Sequence, residues 1–159
     1  MANSAWAVRV AGRGFPPYAF PLYKWRMDAP DDMIALARAA RDNAYAPYSG
    51  FPVGACLRAA SGRLYAGCNV ENAASPEGQC AETSALGALV AAGERAVVEI
   101  VVLAGGDAPC PPCGGCRQRL AEFAAADCPV HLCGPEGVRE TLTLGALLPH
   151  AFHLGDRRR

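Results

Sequence analysis

The sequence predicts a layered α/β fold that contains a mixed sheet of about five strands. Helix-forming segments, the first of which has an apolar stripe, alternate along the chain with short apolar runs that predict strands. Helices and strands in this order pack in layers around one sheet. The chain has 159 residues, of which 52% are hydrophobic and 19% charged, so it suits one domain with a sizeable core.

The first predicted helix begins at Asp31, after Pro30, and carries one apolar stripe. The stripe consists of Met33, Leu36, Ala37, Ala40 and Ala44. Two strands follow, joined by a turn at Ser61 and Gly62. In chain order we expect a helix from residue 31, strands over 51–58 and 64–70, a helix over 80–92, a strand over 99–103, a helix over about 113–125, and strands over 130–133 and 138–142.

Residues 1–27 differ from the rest of the chain. They show no helical or strand period, and three prolines between positions 16 and 21 interrupt them. We predict an irregular N-terminal extension here and assign residues 28–159 to the domain. Two hypotheses remain open: the natural start is Met27 and the extension comes from a misplaced start, or the extension is a genuine arm that packs on the surface.

The eight cysteines and the formal net charge of +0 indicate the cellular compartment of the protein and the partners it can bind. The extension has no apolar run long enough for a secretory signal, and no stretch reaches the ~20 apolar residues of a membrane span. We therefore expect a cytoplasmic protein with reduced thiols, without a membrane or nucleic-acid partner. Four cysteines in apolar, strand-like surroundings are interpreted as small buried core residues: Cys56, Cys68, Cys128 and Cys133.

Three cysteines and one glutamate form the motif that carries chemistry. Cys80 and Glu82 begin one predicted helix, and Cys113 and Cys116 begin another. Backbone N–H groups and the helix dipole stabilise thiolates at such positions. Structural zinc sites normally use four protein ligands, whereas catalytic sites use three and leave the fourth position to water. The motif therefore predicts a hydrolytic zinc site in which Glu82 moves protons.

Cys110 offers an alternative, because it forms a second C-x-x-C pair with Cys113. We prefer Cys113 and Cys116, which begin the helix, since Cys110 precedes two prolines that cannot donate N–H groups to its sulfur. A non-catalytic protein with a structural zinc site, in which Cys110 is the fourth thiolate, stays open as an alternative from spacing alone.

Six segments, in order, resemble the small cytidine deaminase family from about residue 31 to residue 152. They are AYAPYS at 44–49, FPVGA at 51–55, GCNVENA at 67–73, CAE at 80–82, PCGGCRQ at 112–118 and LLPHAF at 147–152. The resemblance implies a three-layer α-β-α domain of the cytidine-deaminase type. It also implies hydrolytic deamination of cytidine and 2′-deoxycytidine in pyrimidine salvage, with one zinc ion per subunit on Cys80, Cys113 and Cys116 and with Glu82 as the proton carrier.

The resemblance also implies roles for four residues at the substrate. Asn69 and Glu71 match the pair that holds the ribose, and on a strand positions 69 and 71 point the same way. Phe51 matches a residue that packs on the base. Phe152 matches a residue that closes the pocket of a neighbouring subunit, which implies a homotetramer.

Thr83 departs from the family pattern, because many members carry an arginine directly after the glutamate. Three thiolates on Zn²⁺ leave one net negative charge, so the two helix dipoles and Arg117 are the groups expected to offset it. The segment over 74–79 also departs, since it lacks the usual tyrosine–glycine pair. Glu77 within it is interpreted as a solvated carboxylate.

A deaminase of another aminopyrimidine nucleoside, of the blasticidin S type, is the alternative enzyme. It would share the cysteine motifs, but the sugar segment at 69–72 is not expected in it. A polynucleotide deaminase is less favoured, because the chain has no evident basic patch.

Overall fold

The computed structural model describes residues 31–153, so the predicted extension over 1–27 lies outside the described residues. The elements are α1 (Asp31–Asp42), β1 (Val53–Ala59), β2 (Leu64–Cys68), α2 (Ala81–Ala91), β3 (Val97–Ala104), α3 (Gly114–Ala121), β4 (Pro129–Gly134), β5 (Gly137–Thr143) and α4 (Leu144–Leu147). A short 3₁₀ helix over Ser75–Glu77 precedes α2.

The five strands form one sheet in the order β2-β1-β3-β4-β5. β3 and β4 run parallel, and the other neighbouring strands run antiparallel. Parallel neighbours need a crossover connection, and α3 lies in the connection between β3 and β4. The predicted mixed sheet of five strands is confirmed.

Successive residues of the central strands face two different cores, one on each side of the sheet. One core lies under α2 and α3 and includes Ala55, Leu57, Ala85, Leu89, Ile100, Val102, Leu120 and Leu132. The other lies under α1 and comprises Met33, Ala37, Cys56, Val101, Leu103 and Cys133. Helices therefore cover both faces of the sheet, and the predicted three-layer architecture is confirmed.

Two glycines allow the helices to lie close to the sheet. A Cβ atom at Gly54 would overlap the carbonyl oxygen of Ala37 in α1, and one at Gly67 would overlap the backbone nitrogen of Ala85 in α2. A residue without a Cβ is needed at both positions. Gly67 therefore determines how closely α2, which begins directly after Cys80, approaches the sheet.

Several boundaries differ from the sequence predictions. α1 ends at Asp42, before Ala44, and Leu36 is 41% exposed because it lies at the margin of the apolar stripe, about 100° around the helix from Ala37. β1 begins at Val53 rather than at 51, since Pro52 has no N–H group for a ladder. β2 ends at Cys68, α3 ends at Ala121, and α4 was not predicted.

The cysteine interpretation is correct for three of the four core candidates. Cys56, Cys128 and Cys133 are buried, and burial raises the pKa of Cys56 to about 12 and that of Cys133 to about 11. Cys68 is only half-buried, which corrects the prediction. It lies at the end of β2, an edge strand, where neighbouring strands cover only one side.

A row of polar side chains crosses the face of the sheet that packs against α1. The Nε atom of Arg58 donates to Oε2 of Glu99 at 2.8 Å, and Oε1 of Glu99 lies 3.2 Å from Nε2 of His131. The Nδ1 atom of His131 lies 2.9 Å from Oγ1 of Thr141. The row links β1, β3, β4 and β5 through side chains, on the opposite face from α2 and α3.

Candidate metal centre and active site

The three cysteines of the predicted motif meet at one point of the structure. The Sγ atoms of Cys80, Cys113 and Cys116 all lie within 4.8 Å of one another, and those of Cys80 and Cys113 are 3.7 Å apart. Among residues 31–153 this group of potential metal ligands contains three side chains, and Cys110 is outside it. The geometry therefore offers three thiolates and leaves room for a ligand that the protein does not supply.

Helix starts bring these sulfurs together. Cys80 is the N-cap residue of α2, Cys113 is the N-cap residue of α3, and Cys116 is the third residue of α3. Both N-termini therefore direct free N–H groups and positive dipole ends towards the cluster. Burial opposes ionisation of Cys113, but hydrogen bonds from the backbone N–H of Cys116 and from the neighbouring thiols lower its pKa.

The chemistry of the donor set fits a zinc ion. Burial raises the pKa of Cys80 and of Cys116, and the negative charge of Glu82 adds to both shifts. Three thiolates in this small volume need a compensating cation. Soft sulfur ligands favour zinc among the common divalent ions, and three protein ligands are typical of a catalytic site. The cluster thus fits one zinc ion per subunit.

Glu82 is the second residue of α2 and follows Cys80 by two positions. Its side chain is buried, with 4% of the residue exposed. Burial raises its pKa above the ordinary value of 4.5, although hydrogen bonds from its own backbone N–H and from Cys116 lower it in part. A carboxyl group whose pKa is raised by burial can both accept and release a proton in one catalytic cycle.

Asn69 and Glu71 lie beyond the end of β2, which corrects the expectation that they sit on a strand. The Oδ1 atom of Asn69 accepts from the backbone N–H of Val53 at 2.8 Å, and its Nδ2 donates to the carbonyl of Phe51 at 3.1 Å. The Oε2 atom of Glu71 accepts from two backbone N–H groups over 48–49. Both side chains therefore organise the segment that leads into β1.

The two predicted aromatic residues are both accessible. Phe51 is 42% exposed and Phe152 is 57% exposed. Gln118 of α3 holds the backbone of Phe152 with two hydrogen bonds, since its Nε2 donates to the carbonyl oxygen at 2.8 Å and its Oε1 accepts from the N–H at 3.1 Å. Sequence reasoning missed this role of Gln118, although the residue lies within the PCGGCRQ segment.

Arg117 has a different function from the one expected of it. Its Nε donates to the carbonyl oxygen of Pro112 at 2.6 Å, and its Nη1 donates to that of Leu147 at 2.8 Å. The guanidinium group thus ties the loop before α3 to the end of α4. The hydroxyl of Thr83, in contrast, lies 3.6 Å from Sγ of Cys116, a contact that the sequence did not predict.

A surface groove of about 430 Å³ lies between α2 and α3. Its lining consists of Thr83, Leu86, Gly87, Val90, Arg119, Glu122 and Phe123. The groove borders the outer side of Thr83, and the three cysteines do not line it.

The layered α/β fold and the donor set define a zinc-binding domain of the catalytic, three-ligand type. Within residues 31–153, no helix has both the length and the apolar character needed to cross a membrane.

Comparison with known proteins agrees with this class. The family profile described as "Cytidine and deoxycytidylate deaminase zinc-binding region" matches residues 27–132. The chain is 44% identical over 126 residues to a cytidine deaminase of Sporosarcina psychrophila, covering 79% of this chain and 93% of the relative. It is also 44% identical over 124 residues to a cytidine deaminase of Halalkalibacterium halodurans, covering 78% and 94%.

Solved structures give the same result. The crystal structure of a cytidine deaminase from Burkholderia pseudomallei superposes with a TM-score of 0.74 at 41% sequence identity, covering 78% of this chain and 99% of that one. The chain belongs to the cytidine and deoxycytidylate deaminase zinc-binding family.

Proposed function

We propose that the protein catalyses the hydrolytic deamination of cytidine and 2′-deoxycytidine, giving uridine and 2′-deoxyuridine with release of ammonia. The observation that carries this proposal is the buried carboxyl group of Glu82 beside a cluster of three cysteines at the starts of two helices. Relatives of this family at 44% identity are named cytidine deaminases. The three thiolates can hold a zinc ion that activates water, and the carboxyl group can move the protons of the reaction.

Cys80, Cys113 and Cys116 hold the zinc ion in this proposal. When bound, the ion supplies Lewis-acid activation of a water molecule, which makes water a nucleophile near neutral pH. The two helix N-termini orient the three sulfurs before the ion binds. The burial of Glu82 keeps its proton within the site and excludes bulk water from the transfer.

Glu82 carries protons in both halves of the reaction. As water adds to C4 of the cytosine ring, the carboxylate takes one proton from the water and delivers it to ring N3. In the second half it takes the remaining hydroxyl proton from the C4 adduct and delivers it to the exocyclic amino group. The C4–N4 bond then breaks, ammonia leaves, and the C4 carbonyl forms. One carboxyl group serves twice because it returns to its ionised form each time.

The substrate-binding roles are part of the same proposal. Glu71 uses Oε2 for the backbone N–H groups over 48–49, so Oε1 is the oxygen that would accept a hydrogen bond from a sugar hydroxyl. Asn69 lies two residues away and supplies an amide to the same sugar. Phe51, which is held near Asn69 through its carbonyl oxygen, packs on the base.

The proposal extends to a homotetramer in the cytoplasm that acts in pyrimidine salvage. The exposed ring of Phe152 supports an assembly in which it closes the pocket of a neighbouring subunit, and the apolar lining of the groove between α2 and α3 supports a contact surface. None of the eight cysteines, all of which lie within residues 31–153, forms a disulfide, and this supports a reducing compartment. Light scattering after gel filtration measures the assembly directly.

Activity of the Glu82→Gln variant tests the main proposal. The variant is expected to keep its zinc, one ion per subunit, and to lose about 10²–10⁴-fold in kcat for cytidine, because the amide cannot carry a proton. Glu77→Gln is the matched control, since Glu77 is an exposed carboxylate five residues earlier, and it should retain activity. Full activity of Glu82→Gln would refute the proposed mechanism. Activity of the wild-type protein on blasticidin S but not on cytidine would refute the proposed substrate.

A further inference from the structure

Thr83 follows the proton-carrying Glu82 in α2 and lies beside the metal centre. Its Oγ1 is 3.6 Å from Sγ of Cys116, which is a hydrogen-bond distance for a sulfur acceptor. Cys116 belongs to α3, so the contact connects the two helices that begin at the cysteine cluster. The side chain of Thr83 is half-buried, and its outer side borders the groove between α2 and α3.

The direction of this hydrogen bond follows from the state of the sulfur. A free thiol could donate to the hydroxyl or accept from it. A cysteine that binds zinc does so as a thiolate, which has no proton to donate. In the metal-bound protein, Thr83 is therefore the donor and Cys116 the acceptor.

The neighbouring hydroxyl makes no such contact. The Oγ of Ser84, the next residue of α2, donates to the backbone carbonyl of Cys80 at 3.3 Å, a hydrogen bond of the kind that serine often makes within a helix. It does not reach a sulfur atom. The chain thus supplies two adjacent hydroxyl groups on one helix, of which one contacts a metal-ligating sulfur and the other contacts the backbone.

The Cys116 sulfur needs such a donor more than the sulfur of Cys113 does. Cys113 accepts a hydrogen bond from a backbone N–H at the start of α3, whereas Cys116 is 1% exposed and lies within the helix. The side-chain cation nearest in sequence, Arg117, donates to two carbonyl oxygens instead. A buried thiolate that lacks compensation donates more charge to its metal ion.

We propose that Thr83 is a positioning residue of the metal centre, whose hydroxyl donates a hydrogen bond to the Cys116 thiolate and so limits the charge that this sulfur donates to the ion. The proposal rests on the proposed function in one respect, that Cys116 is a metal ligand. Hydrogen bonds to metal ligands typically change metal affinity or activity by about 10–100-fold when they are removed.

Cobalt substitution tests this role without relying on activity. Co²⁺ bound by thiolates gives a sulfur-to-metal charge-transfer band in the near ultraviolet, whose energy falls when a sulfur loses a hydrogen bond. Thr83→Val removes the hydroxyl with little change in shape, and we expect its band at longer wavelength than in the wild type. Because the hydroxyl also holds the Cys116 side chain in place, competition with a chelator should show zinc affinity weakened about tenfold in this variant.

Two further variants separate the hydroxyl from other effects. Thr83→Ser keeps the donor and should restore the wild-type band and affinity, whereas Ser84→Ala removes the adjacent hydroxyl and should leave both unchanged. Circular dichroism confirms that each variant is folded. A wild-type band and affinity in Thr83→Val would overturn the proposal, and so would a Thr83→Ser variant that behaves like Thr83→Val.

The failure of the proposed function would look different. If Cys116 is not a metal ligand, the wild-type protein itself would show no thiolate–cobalt band and no measurable zinc affinity. That result would overturn the zinc site and the role of Thr83 together. A wild-type protein that binds both metals, together with an unshifted Thr83→Val variant, would overturn the role of Thr83 alone.

Discussion

The Oε2 atom of Glu71 accepts a hydrogen bond of 2.9 Å from the backbone N–H of Tyr48. The same oxygen accepts a second bond, of 3.1 Å, from the N–H of Ser49. A hydrogen bond from the Ser49 hydroxyl and the bond from the Tyr48 N–H lower the pKa of Glu71, so the group is ionised at neutral pH. A carboxylate proposed to hold the sugar therefore also holds the segment that leads to Phe51.

Glu71→Ala is expected to raise KM for cytidine more than it lowers kcat. The variant loses the charge-assisted hydrogen bonds from Tyr48 and Ser49 and one to the proposed sugar hydroxyl, so a rise in KM of at least about tenfold is expected. Hydrogen–deuterium exchange should become faster over 45–53. Unchanged exchange with a raised KM would show that the carboxylate binds the sugar without ordering the segment.

Cys110→Ala is expected to leave the zinc content unchanged. Its sulfur is outside the cluster in which the three other sulfurs lie within 4.8 Å of one another. The matched change Cys113→Ala removes one of those three sulfurs and should reduce zinc to well below one ion per subunit. Metal analysis by mass spectrometry measures both. Loss of zinc from Cys110→Ala would instead indicate a structural site with four thiolates.

Gly67→Ala is expected to destabilise the fold by about 3 kcal/mol, because a new side chain packed against backbone atoms forces a whole helix to shift. The new Cβ would overlap backbone atoms of Ala81 and Ala85 and push α2 away from the sheet. Gly87→Ala in α2 is the control, since a Cβ there meets no atom of residues 31–153 within 4 Å other than those of its chain neighbours and its own helix backbone. It should gain up to about 1 kcal/mol from helix propensity. Urea unfolding measures both, and equal stabilities would contradict the close approach of α2.

Glu99→Gln is expected to lower stability at pH 7 by about 2 kcal/mol through the loss of charged hydrogen bonds. Burial alone would raise the pKa of Glu99, but the hydrogen bonds from His131 and Arg58 outweigh it and leave the pKa below the ordinary value of 4.5. The pKa of Glu99 is lower in the folded protein than in the unfolded chain. The stabilisation is therefore fully present at pH values above the pKa of the unfolded chain, and it is lost as the pH falls through the pKa of the folded protein.

The difference between wild type and Glu99→Gln should therefore be constant from pH 7 to about 5 and shrink at lower pH. Thermal unfolding across this range measures it. Glu136→Gln is the control, because Glu136 is exposed and an ion pair made by an exposed carboxylate contributes little. A difference that grows towards low pH would contradict the sign of the shift.

Much of the fold follows from local pattern. Short apolar runs predicted all five strands, and the apolar stripe of α1 and the alanine- and leucine-rich segment of α2 predicted helices, because these signals depend on neighbouring residues. α4 was missed because it spans only Leu144–Leu147, too short for a helical period to show. The polar row through Glu99 and His131 was missed because it pairs residues 32 positions apart.

The sequence by itself determined the chemistry of the centre: three cysteines and a glutamate, placed at helix starts where backbone dipoles favour negative charge. Only the tertiary structure decided which groups meet there. It places Cys110 outside the cluster, directs Arg117 to carbonyl oxygens, and brings the hydroxyl of Thr83 to the sulfur of Cys116. The reason is physical: contacts between α2 and α3 depend on how both helices pack on one face of the sheet, and local sequence does not encode that distance.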